Sequence, residues 1–579
     1  MSIIQVITKK HRYAKAVKLE EGKKMKTEKT WGFSSEAEAK TRAERLEKMR
    51  TVIDGFEQVV NYEDFGAIGD GVADDSEAIR SAHLAANERG CPVVAKAGAT
   101  YRIGAVSSPI IVKTDTDWNG AAVIFDDTRI LPTDKERGVN AFEIRSYSDP
   151  YKLQLPEGFS LSRGQLNVGL TFDKPCMLKI EDNNERIYMR YGENANGGVP
   201  KNDMILVDEN GNVDPTTPIQ YDFSSVTSIT VYSTDDKPLY FGNGYLETQA
   251  HNPKSVNPDY ENYYCYYARG IQVLRSNVCV FGIEHRVFGE DLNVPIDRNG
   301  DGVIDIYGAD KAYGVPYAGI FNFRLCNNSM MANCTVQGHQ AYSFYQGATR
   351  FDKGNIRNEM GSYDINASDC IHFSMLDIVQ YENPENQELI TNRVMYHGIM
   401  GSNFCRNVIL DNCYLDRFDS HQGVHNSTVK NCTLGFGILV IGGGQLDIEN
   451  VYRVSGHSFI HLRMDYNSIF NGDVSIRNCR FGKDMRCVVE GKWVSFYNGL
   501  PNNMTNSMLI DGLATDDGDI TLYEVRGGSA ESLTDETNRL ILPKNVTVRN
   551  VYSTDSEEKA KVRLSGQNDL FEHVNMICE

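Results

Sequence analysis

Five segments in the second half of the chain share one pattern, and this repeat limits the fold more than any other feature. Each is an alternating apolar strand that ends in Asn and a small or apolar residue: NVILDNCYLDRF, NSTVKNCTLGFG, QLDIENVYRVSG, DVSIRNCRFGKD and NVTVRNVYSTDS. Asn412, Asn431 and Asn450 are each 19 residues apart, and Asn478 follows after 28. Coils of this length, with Asn recurring at one bend, are typical of a solenoid with three strands per turn. The sequence therefore predicts an all-β fold, a parallel β-helix over residues 261–579.

Residues 59–150 contain a second specific pattern, VVNYEDFGAIGDGVADDSEAIRSAHLAANERGCPVVAKAGATYRI. Glycines between residues 66 and 71 supply tight turns, and Asp75 or Ser76 caps a helix that stops at Gly90. This stretch closely resembles the opening motif of the pectate lyase-like superfamily, in which a helix covers the first coil of a right-handed parallel β-helix. The resemblance implies the fold, but that superfamily includes lyases, hydrolases, epimerases, phage tailspikes and inactive binders.

Two further regions differ from the solenoid. Residues 1–58 combine a basic arm with a helix whose capping box is Ser35 and Glu38, and we expect this region to cap the coil or to attach the protein to a virion or tail partner. Residues 151–260 change to hairpin patterns such as MILVDENGNVD, which predict an inserted β-rich region.

Charge and hydropathy exclude several partners. The formal net charge is −19, which argues against nucleic acid because phosphate binding needs concentrated Lys and Arg. No apolar run is long enough to span a membrane, and the N-terminus has its apolar run before its basic residues, the reverse of a secretory signal. We therefore expect no membrane insertion, and an extracellular location as part of a virion after assembly in the cytoplasm.

Thirteen cysteines are present, and several follow Asn or Asp at strand positions, namely Cys334, Cys370, Cys413, Cys432 and Cys479. This pattern favours reduced, inward-facing small hydrophobic side chains over a disulfide framework.

The candidate reactive residues concentrate in LDRFDSHQGVHN. Arg417, Asp419 and His421 are spaced i, i+2, i+4, so an extended backbone would place all three on one face, with Phe418 pointing the opposite way. One coil earlier, the 19-residue repeat places His397 under Asp416. Acid, base and cation would then share one groove, as acid-base chemistry on a sugar requires. The alternative is an exposed salt-bridge ladder that stabilises the edge of the coil.

Two short segments carry a weaker resemblance. SDCIHF resembles the DDC segment of polygalacturonases and YHGIMGS resembles their GHG segment, which implies a catalytic carboxylate at Asp369 and the neighbouring histidine at His397. Ser368 stands where that family has its second Asp, Tyr396 replaces a Gly, and no RIK segment follows.

Two mechanisms are compatible with these residues. Hydrolysis needs two carboxylates as acid and base, drawn from Asp364, Asp369, Asp416 and Asp419. β-Elimination needs a base next to a uronate carboxylate, drawn from His397, Tyr396 and His421, and a cation to neutralise that carboxylate, Arg393 or Arg417. We interpret the isolated His457 and His461 as structural or groove-lining residues.

The segment DRNGDGVID indicates a metal site. Asp297, Asn299, Asp301 and Asp305 occupy positions 1, 3, 5 and 9 of a calcium-loop pattern, with the Val303 carbonyl at position 7. Position 12 is Gly308, so the usual glutamate is replaced. We expect structural Ca²⁺ here, with an acidic turn that binds no metal as the alternative, and no organic cofactor.

The first hypothesis for function is a polysaccharide-degrading β-helix that resembles phage tailspike or tail-fibre depolymerases, acting by hydrolysis, with β-elimination second. That resemblance implies a homotrimer. The second hypothesis is a non-catalytic receptor-binding or structural β-helix of a virion. A third is cleavage of a phosphate-containing cell-wall polymer.

Overall fold

The computed structural model describes residues 56, 58–130, 138–192, 195–250, 269–289, 295–296, 306–307, 319–337, 363–380, 399–483, 485–516, 518–554 and 560–579. The predicted arm and helix of residues 1–58 lie almost wholly outside these ranges. Within the described residues, no helix has the length and apolar character needed to cross a membrane.

The elements before residue 150 are a 3-10 turn (Glu63–Phe65), β1 (Asp70–Asp74), α1 (Ser76–Arg89), β2 (Val93–Val94), β3 (Thr100–Ile103), β4 (Ile110–Val112), β5 (Thr116–Asp117), β6 (Ala122–Asp126) and β7 (Phe142–Arg145). Four strands follow: β8 (Tyr151–Lys152), β9 (Cys176–Ile187), β10 (Val199–Val207) and β11 (Ser228–Ser233).

The next strands are β12 (Leu239–Gln249), β13 (Ile271–Leu274), β14 (Val278–Phe288), β15 (Pro295–Ile296), β16 (Ile306–Tyr307), β17 (Phe321–Arg324), β18 (Met330–Ala332), β19 (Thr335–Val336), β20 (Tyr363–Ser368), β21 (Ser374–Leu376), β22 (Val379–Gln380), β23 (Ile399–Asn403) and β24 (Arg406–Asp411). The last part contains β25 (Tyr414–Lys430), β26 (Thr433–Glu449), β27 (Tyr452–Ser455), β28 (Ser458–Leu462), β29 (Phe470–Lys483), β30 (Cys487–Lys492), β31 (Asn502–Asn503), β32 (Ser507–Thr515), β33 (Ile520–Arg526), β34 (Leu540–Ile541), β35 (Asn545–Ser553), β36 (Val562–Ser565) and β37 (Asn575–Cys578), with α2 (Asn568–Phe571) and 3-10 turns at Met464–Tyr466 and Ala530–Leu533.

Twenty-nine of these strands form one continuous parallel network, and the chain is a right-handed parallel β-helix, as predicted. Each strand pairs with the strand one coil further along, so the network divides into three faces. We call one of them the first face; it consists of β4, β7, β13, β17, β20, β23, residues 417–420 of β25, residues 437–440 of β26, β28, β30, β33 and β36.

A single apolar core runs through the coils. Inward positions of the first face stack as Met400, Phe418, Ile438, Ile460 and Val489, each fully buried. The five cysteines predicted to face inward are also buried in this core, which confirms their predicted position.

The recurring asparagines form the expected ladder at one bend. Asn450 donates its side-chain amide to the Asn431 side chain at 3.1 Å, and Asn478 donates to Asn450 at 2.6 Å. These residues, together with Asn412, adopt left-handed backbone conformations with φ of 52° to 55°. Asn tolerates this conformation better than most residues and can bond the next coil at the same time, which explains its recurrence there.

The opening helix α1 covers the first coil, as the sequence predicts. Its inner side buries Ile79, Ala82, His83 and Ala86 against the core, and Gly90 ends it with φ 68°. The Asp75 carboxylate accepts hydrogen bonds from the backbone N–H groups of the preceding turn, so it fixes the approach to the helix.

The insertion is an antiparallel sheet of β8, β9, β10 and β11 with an apolar core of its own. It ends at Ser233, because β12 already pairs in parallel with β6 and β14. The β-helix therefore resumes before the expected boundary at residue 260.

Candidate functional site

A row of side chains runs along the outer side of the first face. Successive strands place Asp419, Leu439, His461, Glu490 and Glu524 in register, and we call these residues the outer row. Adjacent strands are about 4.8 Å apart, so the row follows the axis of the coil. Phe418 points into the core, as predicted.

Asp419 lies at one end of the outer row and is fully buried. Its carboxylate accepts hydrogen bonds from Arg417 at 2.8 Å, from the Tyr363 hydroxyl at 3.1 Å and from Arg463 at 3.1 Å to both oxygens. The pair of Arg417 and Asp419 is thus real, but it is enclosed and is not the exposed ladder considered from sequence.

The ion pairs continue beyond Asp419 into the insertion. Arg463 also bonds Asp465, at 3.2 Å and 3.3 Å, and Arg190 from the segment after β9 pairs with the same carboxylate. Arg417, Asp419, Arg463, Asp465 and Arg190 therefore form one chain of alternating charge with one cation in excess. Its buried end is at Arg417 and Asp419, and its partly exposed end is at Asp465 and Arg190.

This chain fixes the protonation of its members. Burial alone would raise the pKa of Asp419, but the positive charges of Arg463 and Arg417 outweigh burial and hold that pKa well below its usual range. The pKa of Asp465 is likewise lowered, because Arg463 and Arg190 outweigh its burial. Both carboxylates are therefore ionised at neutral pH, which suits an electrostatic anchor better than a proton donor.

His421 does not join Asp419 through a hydrogen bond. Its Nδ1 lies 2.9 Å from the Asn403 side-chain oxygen, and its ring packs edge-on against Tyr466. The alternation expected from sequence fails because the register shifts after Ser420, where the chain turns toward the next face. Burial lowers the pKa of His421 to about 3, and the nearby Arg463 adds to this, so the imidazole is neutral at pH 7.

Of the other predicted carboxylates, Asp369 has a partner outside this chain. Asp369 sits on a turn with φ 54° and pairs with Lys179 of the insertion at 3.0 Å. Asp364 is 1% exposed beside an irregularity in β20. For Asp416 only the backbone, within β25, is described. Arg393, Tyr396 and His397 lie outside the described residues, so their predicted roles stay predictions.

A second cluster occupies the middle of the outer row. His461 Nδ1 lies 3.3 Å from a Glu490 oxygen, and Arg526, two residues beyond Glu524, pairs with the other oxygen of Glu490. Burial would raise the pKa of Glu490, but His461 and Arg526 outweigh it and lower that pKa to about 2. The His461 side chain is 30% exposed, whereas Glu490 is 4% exposed. A buried anion thus orients an accessible imidazole, an arrangement suited to proton transfer.

Sequence reasoning missed the residues around these two clusters. His461, taken as isolated, has Glu490 as a partner, and Arg463, Asp465, Arg190 and Tyr363 were not considered. One signal was available: HLRMD at 461–465 has the same alternation of His, Arg and Asp at every second position as RFDSH at 417–421.

The predicted calcium loop, residues 297–305 with Asp297, Asn299, Asp301, Val303 and Asp305, lies outside the described residues. The flanking strands β15 and β16 are described, and they pair in an antiparallel manner. Calcium binding there stays a prediction.

Comparisons with known proteins give structural likeness only. No protein-family model matches the sequence, and no curated protein matches it either. The chain is similar to the Gp54 tailspike of Acinetobacter baumannii bacteriophage AP22 in complex with A. baumannii capsular saccharide (11% identity, 92% of this chain and 80% of that chain, TM-score 0.46). It is also similar to the tailspike gp49 from Pseudomonas phage LKA1 (13%, 85% and 81%, TM-score 0.45) and to an exopolygalacturonase from Thermotoga maritima (10%, 87% and 93%, TM-score 0.34). At these identities the likeness concerns the course of the chain and carries no information about chemistry.

Proposed function

We propose that this protein binds and cleaves an extended polysaccharide that carries carboxylates. The polysaccharide would lie along the outer row of the first face. The observation that carries the proposal is the pair of His461 and Glu490, with Arg526 on the other carboxylate oxygen of Glu490. Arg463 follows His461 by two residues in the sequence and is bonded to Asp419 and Asp465. Base, orienting anion and a cation are therefore together on one surface.

These groups fit β-elimination on a uronate. The Nε2 atom of His461, on the ring edge away from Glu490, would take the proton from the sugar carbon next to the carboxylate. The electron pair of that C–H bond would form the new C=C bond while the bond to the leaving glycosidic oxygen breaks, and that oxygen would take a proton from water. Arg463 or Arg526 would stabilise the negative charge that develops on the uronate carboxylate.

Asp419 has another role in this proposal. Its two arginines and Tyr363 keep it ionised and enclosed, so it would hold Arg463 in place and would not touch the sugar. Arg417, buried with it, is then not the cation that recognises the substrate.

Hydrolysis is the second candidate reaction, and one observation favours it. Glu490 and Glu524 are register partners on adjacent strands, which are about 4.8 Å apart. Retaining glycosidases hold their two carboxyl groups about 5 Å apart, with one ionised and one protonated. Glu490 would be the ionised member.

The test is digestion of polygalacturonate, alginate, hyaluronan and bacterial capsular polysaccharides. Both reducing ends and the ultraviolet absorbance of an unsaturated uronyl product would be measured for the wild type, His461→Ala and Glu524→Gln. His573→Ala is the matched control, because His573 is exposed and distant in sequence from the outer row.

Elimination predicts absorbance together with reducing ends, loss of both in His461→Ala, and wild-type rates in His573→Ala. Reducing ends without absorbance, lost in Glu524→Gln, would favour hydrolysis. Binding without any product would leave a receptor-binding protein, and the catalytic part of the proposal would fail.

A further inference from the structure

An exposed aromatic surface lies beside the outer row, and the proposed reaction does not use it. Phe496 is 37% exposed and Tyr497 is 45% exposed, on the segment of residues 493–499 that directly follows β30. The ring of Tyr191, which follows β9 of the insertion, lies 5.9 Å from the Phe496 ring. We call Tyr191, Phe496 and Tyr497 the aromatic platform.

Buried asparagines hold this segment in place. The Asn467 side chain donates to the carbonyls of Val494 and Phe496, both at 3.0 Å, and accepts the Val494 N–H at 2.8 Å. Asn538 donates to the same Val494 carbonyl at 2.7 Å, and the Asn498 side chain donates to the Tyr466 carbonyl. Each of these three asparagines is 1% exposed.

The side-chain amides of these three buried asparagines donate to backbone carbonyls on or next to the segment. They therefore fix the backbone that carries two exposed rings. Apolar rings presented on a rigid backbone lose little entropy when a ligand covers them. The platform therefore has the properties of a preformed contact surface.

Cations border the platform. The Lys492 ammonium lies 5.2 Å from the centre of the Tyr191 ring, and the Arg190 guanidinium lies 5.2 Å from the centre of the Tyr466 ring. Lys492 is also two residues beyond Glu490 on β30, a step of about 7 Å along the strand. The platform is thus contiguous with the outer row and offers positive charge to an anionic ligand.

We propose that the aromatic platform is a sugar-binding subsite that receives the next residues of the same anionic polysaccharide. The inference rests on the proposed function. Aromatic side chains supply rigid contact area against the apolar side of a pyranose ring, and Lys492 would pair with its carboxylate. The insertion has a role in this proposal, because it supplies Tyr191 and is bonded to the segment that carries the other two rings. The Met189 N–H donates to the Asn498 carbonyl at 3.1 Å, and the Tyr191 hydroxyl donates to the Met464 carbonyl.

Calorimetric titration of the full chain with short and long oligosaccharides of galacturonate, alginate and hyaluronan tests the subsite. The variant Phe496→Ala/Tyr497→Ala should bind a long oligosaccharide about tenfold more weakly, the effect of roughly 1.4 kcal/mol of lost stacking, and a short one unchanged. The ring-retaining variant Phe496→Tyr/Tyr497→Phe should restore the affinity. Tyr552→Ala, which removes a ring that is 42% exposed elsewhere on the β-helix, is the matched control.

Trp493 supplies a second measurement, because it begins the same segment. Long oligosaccharides should change the tryptophan fluorescence of the wild type, and this change should be absent in Trp493→Phe, which keeps Trp31 and the buried Trp118. If the wild type binds and the double alanine variant binds the long oligosaccharide equally well, the subsite is wrong while the proposed function stands. If the wild type binds none of the three series and none of the bacterial capsular polysaccharides, both proposals fail.

Discussion

Replacing Asp419 tests whether its carboxylate is an electrostatic anchor or a catalytic group. Asp419→Ala would leave Arg417 and Arg463, whose side chains are 8% and 15% exposed, without the anion that both contact. Removing one partner of a buried ion pair costs about 3–5 kcal/mol, and Arg463 keeps its second carboxylate, Asp465, so we expect the lower part of that range. The control Asp447→Ala breaks a pair with Arg477 that is 37% and 46% exposed, and it should cost about 1 kcal/mol or less.

Urea unfolding followed by circular dichroism and by fluorescence measures both variants. The pH dependence gives a second check for Asp419→Asn. Because the folded pKa of Asp419 is depressed, its stabilisation is complete above the ordinary aspartate pKa of about 3.9 and is lost as pH falls through the folded pKa. The difference from wild type should therefore be the same at neutral pH and at about pH 5, and should shrink only in stronger acid. An Asp419→Ala variant as stable as wild type but unable to cleave any polymer would refute the anchor and support the catalytic role predicted from sequence.

Three further predictions follow from other sites. Burial lowers the pKa of His421 to about 3, so the unfolded chain takes up a proton at this residue as the pH falls below about 6.5, while the folded protein does not. The free energy of unfolding should therefore decrease as the pH is lowered from about 6.5 to about 3, and the decrease should be less steep in His421→Gln. Arg406→Met leaves Asp203 buried without its cation and should cost about 3–5 kcal/mol, seen as faster proteolysis of β8 to β11; unchanged protection would show that the insertion does not depend on this pair. Calcium should raise the melting temperature of the wild type but not of Asp301→Ala, and equal melting with and without chelator in the wild type would contradict the predicted loop.

The fold could be predicted because its causes are local in sequence. Asn431, Asn450 and Asn478 recur at the bend where the backbone is left-handed, and the opening helix has its own start and stop residues. One ion pair of the site could be predicted for the same reason, since Arg417 and Asp419 are two residues apart.

The rest of the site depends on contacts that spacing does not reveal. Arg463 is 44 residues from Asp419, and Arg190 reaches Asp465 from 275 residues away in the insertion. The error at His421 has a different cause, because the alternation rule holds only while a strand stays straight, and β25 turns a corner after Ser420.

The insertion also changes how the β-helix should come apart. In a simple solenoid each coil contacts only its neighbours, so coils can unravel one after another from an end. Here the insertion contacts successive coils at Asp369, Arg406, His425, Asp465 and Asn498. These coils are all bonded to the insertion. Unfolding one of them would therefore disturb the insertion and weaken its contacts with the others. We expect the central coils to unfold as one cooperative block, with fraying from the C-terminal end arrested at the coil of Asn498.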